Sequence, residues 1–437
     1  MIKCKDILIC LLTTVFLPFF SSAQNMLSLD QAISLGLKNN YQVYIDSNNA
    51  KSFQINNSLG NAGFLPSVAL TGSAIYQGEN IKQSYSTGTE VNRNNISSHN
   101  ELAEAELTWT IFDGGHAYAT AKLLRFEEEQ QGQISKADVQ NLISEIINDY
   151  YDVVQQKKLL QQIDSSLKYY DVQLQTTQSL QQNGKGTRQQ VLQAQIDRNT
   201  EQAAYYNQLN GLLDAKTTLN QLLIRSSDAD FDVIDSIPVT LNTKIDTSDQ
   251  FLAQHNPSLL GAYRNVDIQQ AILQQNRADR FPKLNFDGGY EYSNTSTGAG
   301  LILKNQFYGW NAGLTLSFNL FNGFTQHNLV EVSKLNVENA HLEYELLNIQ
   351  THAQLSTAYH KYNLSLQQVN LQFQNLQLAR ENLQIAIEEY KLNAITQIEL
   401  QQAQNSYDLA GASYVTSLYS TKTAETSLLL LSGALAQ

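Results

Sequence analysis

The feature that most constrains this chain is a change of periodicity that occurs twice. Through Trp109-Thr110-Ile111-Phe112-Asp113-Gly114-Gly115 an alternating apolar and polar pattern stops and a heptad pattern begins. The switch recurs at Leu316-Ser317-Phe318-Asn319-Leu320-Phe321-Asn322-Gly323-Phe324, where Phe321 and Gly323 follow Phe112 and Gly114 by the same 209 positions. A period of two builds a strand with unlike faces, and a heptad builds a helix. An aromatic, an Asp or Asn and a glycine at the switch are what a chain needs to leave a strand and turn into a helix. Phe112, Gly114, Gly115, Phe321 and Gly323 are therefore the expected strand-to-helix joints, with positive φ expected at the glycines.

The duplication extends outward from the joints. Asn40 matches Asn256 and Pro66 matches Pro282 at an offset of 216, while Thr187 matches Thr396 and Ala194-Gln195 matches Ala403-Gln404 at 209. The offset changes only between proline and joint, where a loop between two strands absorbs length. This divides the chain into a segment 1–23, a first repeat 24–225, a linker 226–246 and a second repeat 247–437. The first repeat reads as helix 29–60 with Ser28 or Asp30 as its cap, strands 65–82 and 99–112, a long helix 115–183 and a helix 187–225. The second reads as helix 247–280, strands 283–294 and 306–321, a long helix 324–393 and a helix 396–432.

Residues 1–23 have the form of a secretory signal: Lys3 and Lys5, an apolar run over 7–20, then Ser21-Ser22-Ala23. The mature chain is expected to start near Gln24, outside the cytoplasm. Cys4 and Cys10 both fall in the removed segment, so neither a disulfide nor a lipid-bearing cysteine is expected. A net charge of −13 argues against nucleic acid as a partner. No later stretch reaches the roughly 18–20 apolar residues of a membrane-spanning helix, so contact with a bilayer would be made by strands.

The strands suit that role. Val68, Leu70, Gly72, Ala74 and Tyr76 alternate with polar residues, as do Ala103, Ala105, Leu107, Trp109 and Ile111; the second repeat does the same through Leu284, Phe286, Tyr290 and Tyr292 and through Trp310, Ala312, Leu314 and Leu316. Apolar faces of about 10 residues are the length a tilted strand needs to cross hydrocarbon, and aromatics gather near their ends. Glu104, Glu106, Asp287 and Glu291 then face a water-filled lumen, and the polar linkers 83–100 and 294–305 lie outside the cell. Four strands cannot close a barrel, for which eight is the usual minimum, so several copies must combine.

The helix over 324–393 carries two stripes. Leu355, Tyr359, Tyr362, Leu366, Val369, Phe373, Leu376, Leu383, Ile387 and Tyr390 form one, interrupted at Arg380; Leu364, Leu371, Leu378, Ile385 and Leu392 form the other. One stripe suffices for a two-stranded coil, whereas two adjacent stripes mean neighbours on both sides, as in a wall of helices. About 70 residues of helix span on the order of 100 Å. The linker 226–246, rich in Asp and Ser with Pro238, reads as a polar equatorial belt too hydrophilic for core.

Signal segment, duplicated order of elements and the Phe-Asp-Gly-Gly and Phe-Asn-Gly joints together resemble the TolC-like outer membrane efflux proteins, over essentially all of 24–437. The resemblance implies a mixed α/β membrane channel: a homotrimer in which each chain gives four strands to one 12-stranded outer membrane β-barrel, continued by a periplasmic coiled-coil tunnel. It implies passive conduction to the exterior in a tripartite efflux or type I secretion system. Its implied partners are outer membrane lipid, a periplasmic adaptor (membrane fusion) protein and an inner-membrane transporter of the RND, ABC or MFS type. By the same resemblance the tips Gly184, Lys185, Gly186 and Thr187, and Asn393, Ala394 and Thr396, meet the adaptor and close the tunnel. Family members hold the closed tip with an Asp, an Arg and a Tyr; the matching positions are Gln190, Ile395 and Tyr390, so only the tyrosine is kept. Glu399 matches a lumen-facing Asp and is the expected selectivity charge.

No catalytic motif, cofactor fingerprint or metal-ligand spacing appears, and no catalytic, cofactor-binding or metal residue is assigned. The competing class is a periplasmic structural or adaptor coiled-coil protein without a pore, and the four alternating strands discriminate against it.

Overall fold

The computed structural model describes residues 26–239, 249–299 and 302–435. The expected signal segment, the start at Gln24, both cysteines, linker residues 240–246 and the first two positions of the helix expected over 247–280 lie outside them. The elements in chain order are α1 (Leu29–Asn39), α2 (Tyr41–Asn56), β1 (Ser67–Ser84), β2 (Glu90–Phe112), α3 (His116–Gln182), α4 (Arg188–Leu222), α5 (Asp249–His255), α6 (Pro257–Ala278), β3 (Lys283–Thr297), β4 (Lys304–Ser317), α7 (Thr325–Lys391) and α8 (Gln397–Ser432). α3 and α7 each have 67 residues, about 100 Å of helix at 1.5 Å per residue. The chain divides into two compact units. Of the described residues, a hairpin unit holds those up to Leu35, Asp149–Pro238 and Asn375–Thr416, and a sheet unit holds Gly36–Asn148, those between Val239 and Gln374, and those from Ser417 on.

Two single helices expected from the sequence are each two. The helix read over 29–60 breaks at Asn40, whose extended backbone lets its side chain accept from Gln42 N at 2.8 Å and cap α2. The helix read over 247–280 breaks at Asn256, whose side chain accepts from Ser258 N at 3.0 Å and Leu259 N at 3.1 Å. Pro257 forces that break, since the residue before a proline is pushed to extended backbone and proline itself is at home in a first helical turn. The repeat pair Asn40 and Asn256 is therefore a pair of N-caps. At the start of α1, Ser28 forms a reciprocal capping box with Gln31.

In the sheet unit the four strands form one antiparallel sheet in the order β1-β2-β3-β4. β2 begins at Glu90, earlier than the expected 99, because the mostly polar run 90–98, with Val91 and Ile96 its only apolar residues and out of alternation, pairs with β1 (Gln83 with Val91, Ile81 with Arg93). β3 likewise runs on to Thr297, so Ser296 is a strand residue. β4 stops at Ser317, short of the expected 321, although the apolar alternation continues through Leu320. The helices of this unit pack Leu252, Leu259, Leu355, Ala358, Tyr362, Ala424 and Leu428 into one core.

In the hairpin unit, Leu383, Ala386, Tyr390, Leu400, Ala403 and Tyr407 form the core toward the helical turns. The linker departs from the expected polar belt. Phe231, Val233 and Ile237 are buried, Met26 bridges to Asp232, and Lys157 Nζ ties the segment to α3 through Asp232 at 2.6 Å, Asp235 at 2.8 Å and the Val233 carbonyl at 2.9 Å. The apolar residues alternate with the aspartates that masked them.

Candidate functional site

The strand register sorts side chains onto two faces. Directly opposed residues share a face, so Leu70, Ala105, Tyr290 and Trp310 line up on one side, one residue from each strand, with Val68, Leu107, Gly288 and Ala312 beside them. That face is bare: Leu70 is 83% exposed, Trp310 79% and Leu316 69%. The other face carries Thr71, Glu104, Glu291 and Gly309 in one row and Ala69, Glu106, Gly289 and Asn311 in the next. Glu104 thus stands opposite Glu291, and Asp287 shares their face and accepts from Thr315 Oγ1 at 3.0 Å. The four acids singled out from the sequence share the polar face. The outer edges of β1 and β4 have no strand partner among the described residues.

The joints are built as caps. The Asp113 carboxylate accepts from Gly115 N at 3.0 Å and from Ala117 N at 2.7 Å, closing the open N-terminus of α3. Asn322 stands in its place in the second repeat, with its carbonyl accepting from Thr325 Oγ1 at 2.9 Å. Both residues were in the motif, and the Asn322 side chain accepts from Gln326 N at 3.5 Å as Asp113 accepts from Ala117 N. Gly114 and Gly323 take φ of +69° and +66°. Gly115, at +93°, is matched by Phe324 at +64°, a left-handed backbone on a bulky residue.

The two tips repeat each other in detail. Gly184 (φ +72°) and Asn393 (φ +58°) end the long helices, with Lys185 N donating to Leu180 O at 2.8 Å and Ala394 N to Glu389 O at 2.9 Å, the six-residue bond of a Schellman turn. Gly186 lies so close to the end of α3 that a Cβ there would sit 3.0 Å from Gln181 N. Thr187 then forms a capping box with Gln190, and Thr396 forms the same box with Glu399, whose carboxylate accepts from Thr396 N at 2.7 Å. Those hydrogen bonds from Thr396, backbone first, hold the Glu399 carboxyl below the usual glutamate range. Glu399 and Gln190 thus play equivalent parts in their capping boxes, and neither is hydrogen-bonded to Tyr390.

Tyr390 instead shares a hydrogen bond of 2.9 Å with Thr177 of α3, both side chains buried. Ile395 packs against the hairpin core, and Gln397 Nε2 reaches Gln190 O at 3.4 Å. A cleft of about 580 Å³ opens beside them, lined by Thr187, Gln190, Gln193, Thr396, Gln397 and Gln401. Thr177 had no signal of its own in the sequence.

Of the two stripes on α7, the first turns mostly into the chain's own cores, with Leu355, Tyr362, Leu383 and Tyr390 buried. The second, Leu364, Leu371, Leu378, Ile385 and Leu392, is left 52–80% exposed. No helix among the described residues is long and apolar enough to cross a membrane, and no group of three or more His, Cys, Asp or Glu among them is placed to hold a metal ion.

A family model described as outer membrane efflux protein matches residues 33–223 and 250–434. The proteases secretion protein PrtF of Dickeya chrysanthemi is 25% identical over 285 residues, 63% of this chain and 60% of that protein, so the chain spans less than two thirds of this relative's length. Among solved structures, CusC, described in terms of folding and transmembrane channel formation, aligns with a TM-score of 0.78 at 17% identity over 93% of this chain and 92% of its own. The outer membrane protein VceC of Vibrio cholerae aligns at 0.77 with 15% identity over 93% and 96%.

Proposed function

Because the chain belongs to the outer membrane efflux protein family, a family of outer membrane channels with periplasmic extensions, we propose that three copies form a passive channel-tunnel for an efflux or type I secretion system. The observation that carries this is the bare apolar face of an open four-stranded sheet. In water such a face would demand a cover and its two free edges would invite further pairing. Hydrocarbon covers the first and neighbouring copies satisfy the second. Twelve strands from three chains make a closed barrel of ordinary size, with Glu104, Glu106, Asp287 and Glu291 turned inward.

The exposed stripe on α7 supports the same assembly, since five large apolar residues at heptad spacing await a helix from a second copy. A soluble adaptor would have no use for either surface. At the tips, the capped turns from Gly184 to Thr187 and from Asn393 to Thr396 present polar ends to a periplasmic adaptor, and the channel takes its cargo from an inner-membrane transporter of the RND, ABC or MFS type. The closed tip is held by the neutral Tyr390–Thr177 pair in place of a charged latch. Expression with purification from outer membranes tests this reading: heat-modifiable trimers that need detergent and conduct ions in planar bilayers are expected. A monomer that stays soluble without detergent overturns it.

A further inference from the structure

In the hairpin unit, the seam where α3, α4 and α8 meet is polar where a helical seam is ordinarily apolar. On α3 the residues Ser166, Tyr170, Gln173 and Thr177 recur at steps of four, three and four and are all buried. Across from them α4 brings Asp197, buried, with Glu201 one turn on, and α8 brings Gln404, buried, with Asp408 one turn on. Ser166 Oγ donates to the Asp408 carboxylate. Asp197 Oδ1 accepts from Gln193 at 2.8 Å and from Gln401 at 3.2 Å, while its other oxygen is buried without a partner. Gln173 and Gln404, 2% and 1% exposed, have both amide atoms buried and unbonded. Unmade hydrogen bonds of this number are costly inside a protein and mark a seam that gains by opening to water.

The seam holds three carboxyl groups, none of them ion-paired with a cation among the described residues. Tyr170 of α3 lies within electrostatic reach of Asp408, Glu201 and Asp197, and Glu201 within reach of Asp408. The bases nearest in sequence are engaged elsewhere, Lys168 with Asp164 at 2.8 Å and Arg198 with Asp171 at 2.9 Å. α7 contributes the uncharged Leu376, Ala379, Leu383 and Tyr390 to the adjoining core. We propose that this seam is a proton-responsive hold on the tip: Glu201 and Asp408 pack between α3, α4 and α8 when protonated, and push the α3/α4 hairpin and α8 apart to take up water when ionised.

The direction follows from where the groups titrate. Burial raises the Asp408 carboxyl to about 6, against the opposing pull of the Ser166 hydroxyl. Burial and then the Asp408 charge raise Glu201 to about 7. A carboxyl whose packed-state pKa is raised above its solvated value favours the packed state increasingly as pH falls through the raised value, and disfavours it above. The seam therefore tightens toward pH 5.5 and loosens toward pH 8.

The consequence for conduction rests on the channel reading, but the titration of the seam does not, so the two are tested apart. Amide hydrogen exchange of the intact, detergent-solubilised protein, corrected for intrinsic rates, is followed from pH 5.5 to 8. Protection over 193–205 and 401–412 is expected to fall about tenfold with rising pH, well within the more than hundredfold that shifts of two pKa units permit. In Asp408→Asn combined with Glu201→Gln it is expected to stay high and flat. Equal protection of the wild type at both extremes overturns the proposal, as does a variant that keeps the slope. Should the variant not assemble, infrared spectroscopy of the wild type decides, since a carboxylic-acid carbonyl band vanishing between pH 6 and 8 supports the seam and its absence overturns it. A seam that titrates in a protein that never conducts ions supports the hold and sinks only the channel reading.

Discussion

The two joints offer a controlled comparison, because the same backbone conformation occurs in two different surroundings. A methyl group at Gly323 would meet nothing within 4 Å, so Gly323→Ala suffers only from the left-handed φ of +66°, about 1–2 kcal/mol for an L-residue. At Gly114, φ +69°, the same methyl would stand 2.5 Å from Ala278 O and 2.5 Å from Phe281 Cβ. Neither can swing aside. Ala278 O is held by Phe281 N at 2.9 Å in the turn that leaves α6, and Phe281 Cβ is fixed to the backbone. Overpacking of this kind adds about 1–3 kcal/mol, so Gly114→Ala is expected to cost about 2–5 kcal/mol in all. Trimer yield in outer membranes and the temperature at which trimers dissociate in detergent should both fall, clearly more for Gly114→Ala than for Gly323→Ala. Equal losses, or a milder loss at Gly114, would refute the idea that packing against the end of α6 sets the cost.

Phe324→Gly should raise the dissociation temperature, by relief of about 1 kcal/mol at φ +64°, unless the exposed ring serves the trimer, in which case trimer yield falls instead. Asn256→Ala should destabilise by about 2 kcal/mol in thermal melts, since it removes both the cap of α6 and the 2.9 Å bond from Asn256 Nδ2 to Leu431 O. Tyr390→Phe should cost about 1 kcal/mol and ease passage of bulky antibiotics through the closed tip; uptake equal to the wild type would remove the Thr177 pair from the latch.

The long elements were legible because their periods persist over many residues. α3, α4, α7 and α8 begin and end within about three residues of the expected limits, since Gly184 and Asn393 stop the long helices and Thr187 and Thr396 start their partners. Strand ends were less legible for opposite reasons. Over 90–98 pairing is held by backbone bonds in a mostly polar run whose two apolar residues, Val91 and Ile96, fall on opposite parities and make no alternation, and past Ser317 alternation runs on where pairing has stopped. The breaks at Asn40 and Asn256 were visible as a repeat pair, yet their meaning depended on Pro257, present in one half only. Contacts between helices were not legible at all. Nothing in the order of residues tells that Thr177 meets Tyr390 or that Ser166 meets Asp408, because each pair is more than 200 positions apart.

The repeat also supplies a way to separate charge from structure at Glu399. Its carboxylate does two things at once: it caps α8 through Thr396 and it places a negative charge at the tip. Gln190 performs the same capping in α4 with a neutral amide, accepting from Thr187 N at 2.7 Å where Glu399 accepts from Thr396 N at 2.7 Å. Glu399→Gln therefore keeps the box and deletes the charge, whereas Glu399→Ala deletes both. The lowered carboxyl pKa means the charge persists as pH falls below the ordinary glutamate range, and the cap it reinforces weakens only below that. In bilayers of the trimer, three such charges at a narrow aqueous constriction should favour cations. Glu399→Gln is expected to lower cation preference and block by polyvalent cations while leaving thermal dissociation unchanged, and Glu399→Ala to lower all three. Selectivity unchanged in both variants would leave Glu399 a helix cap and nothing more.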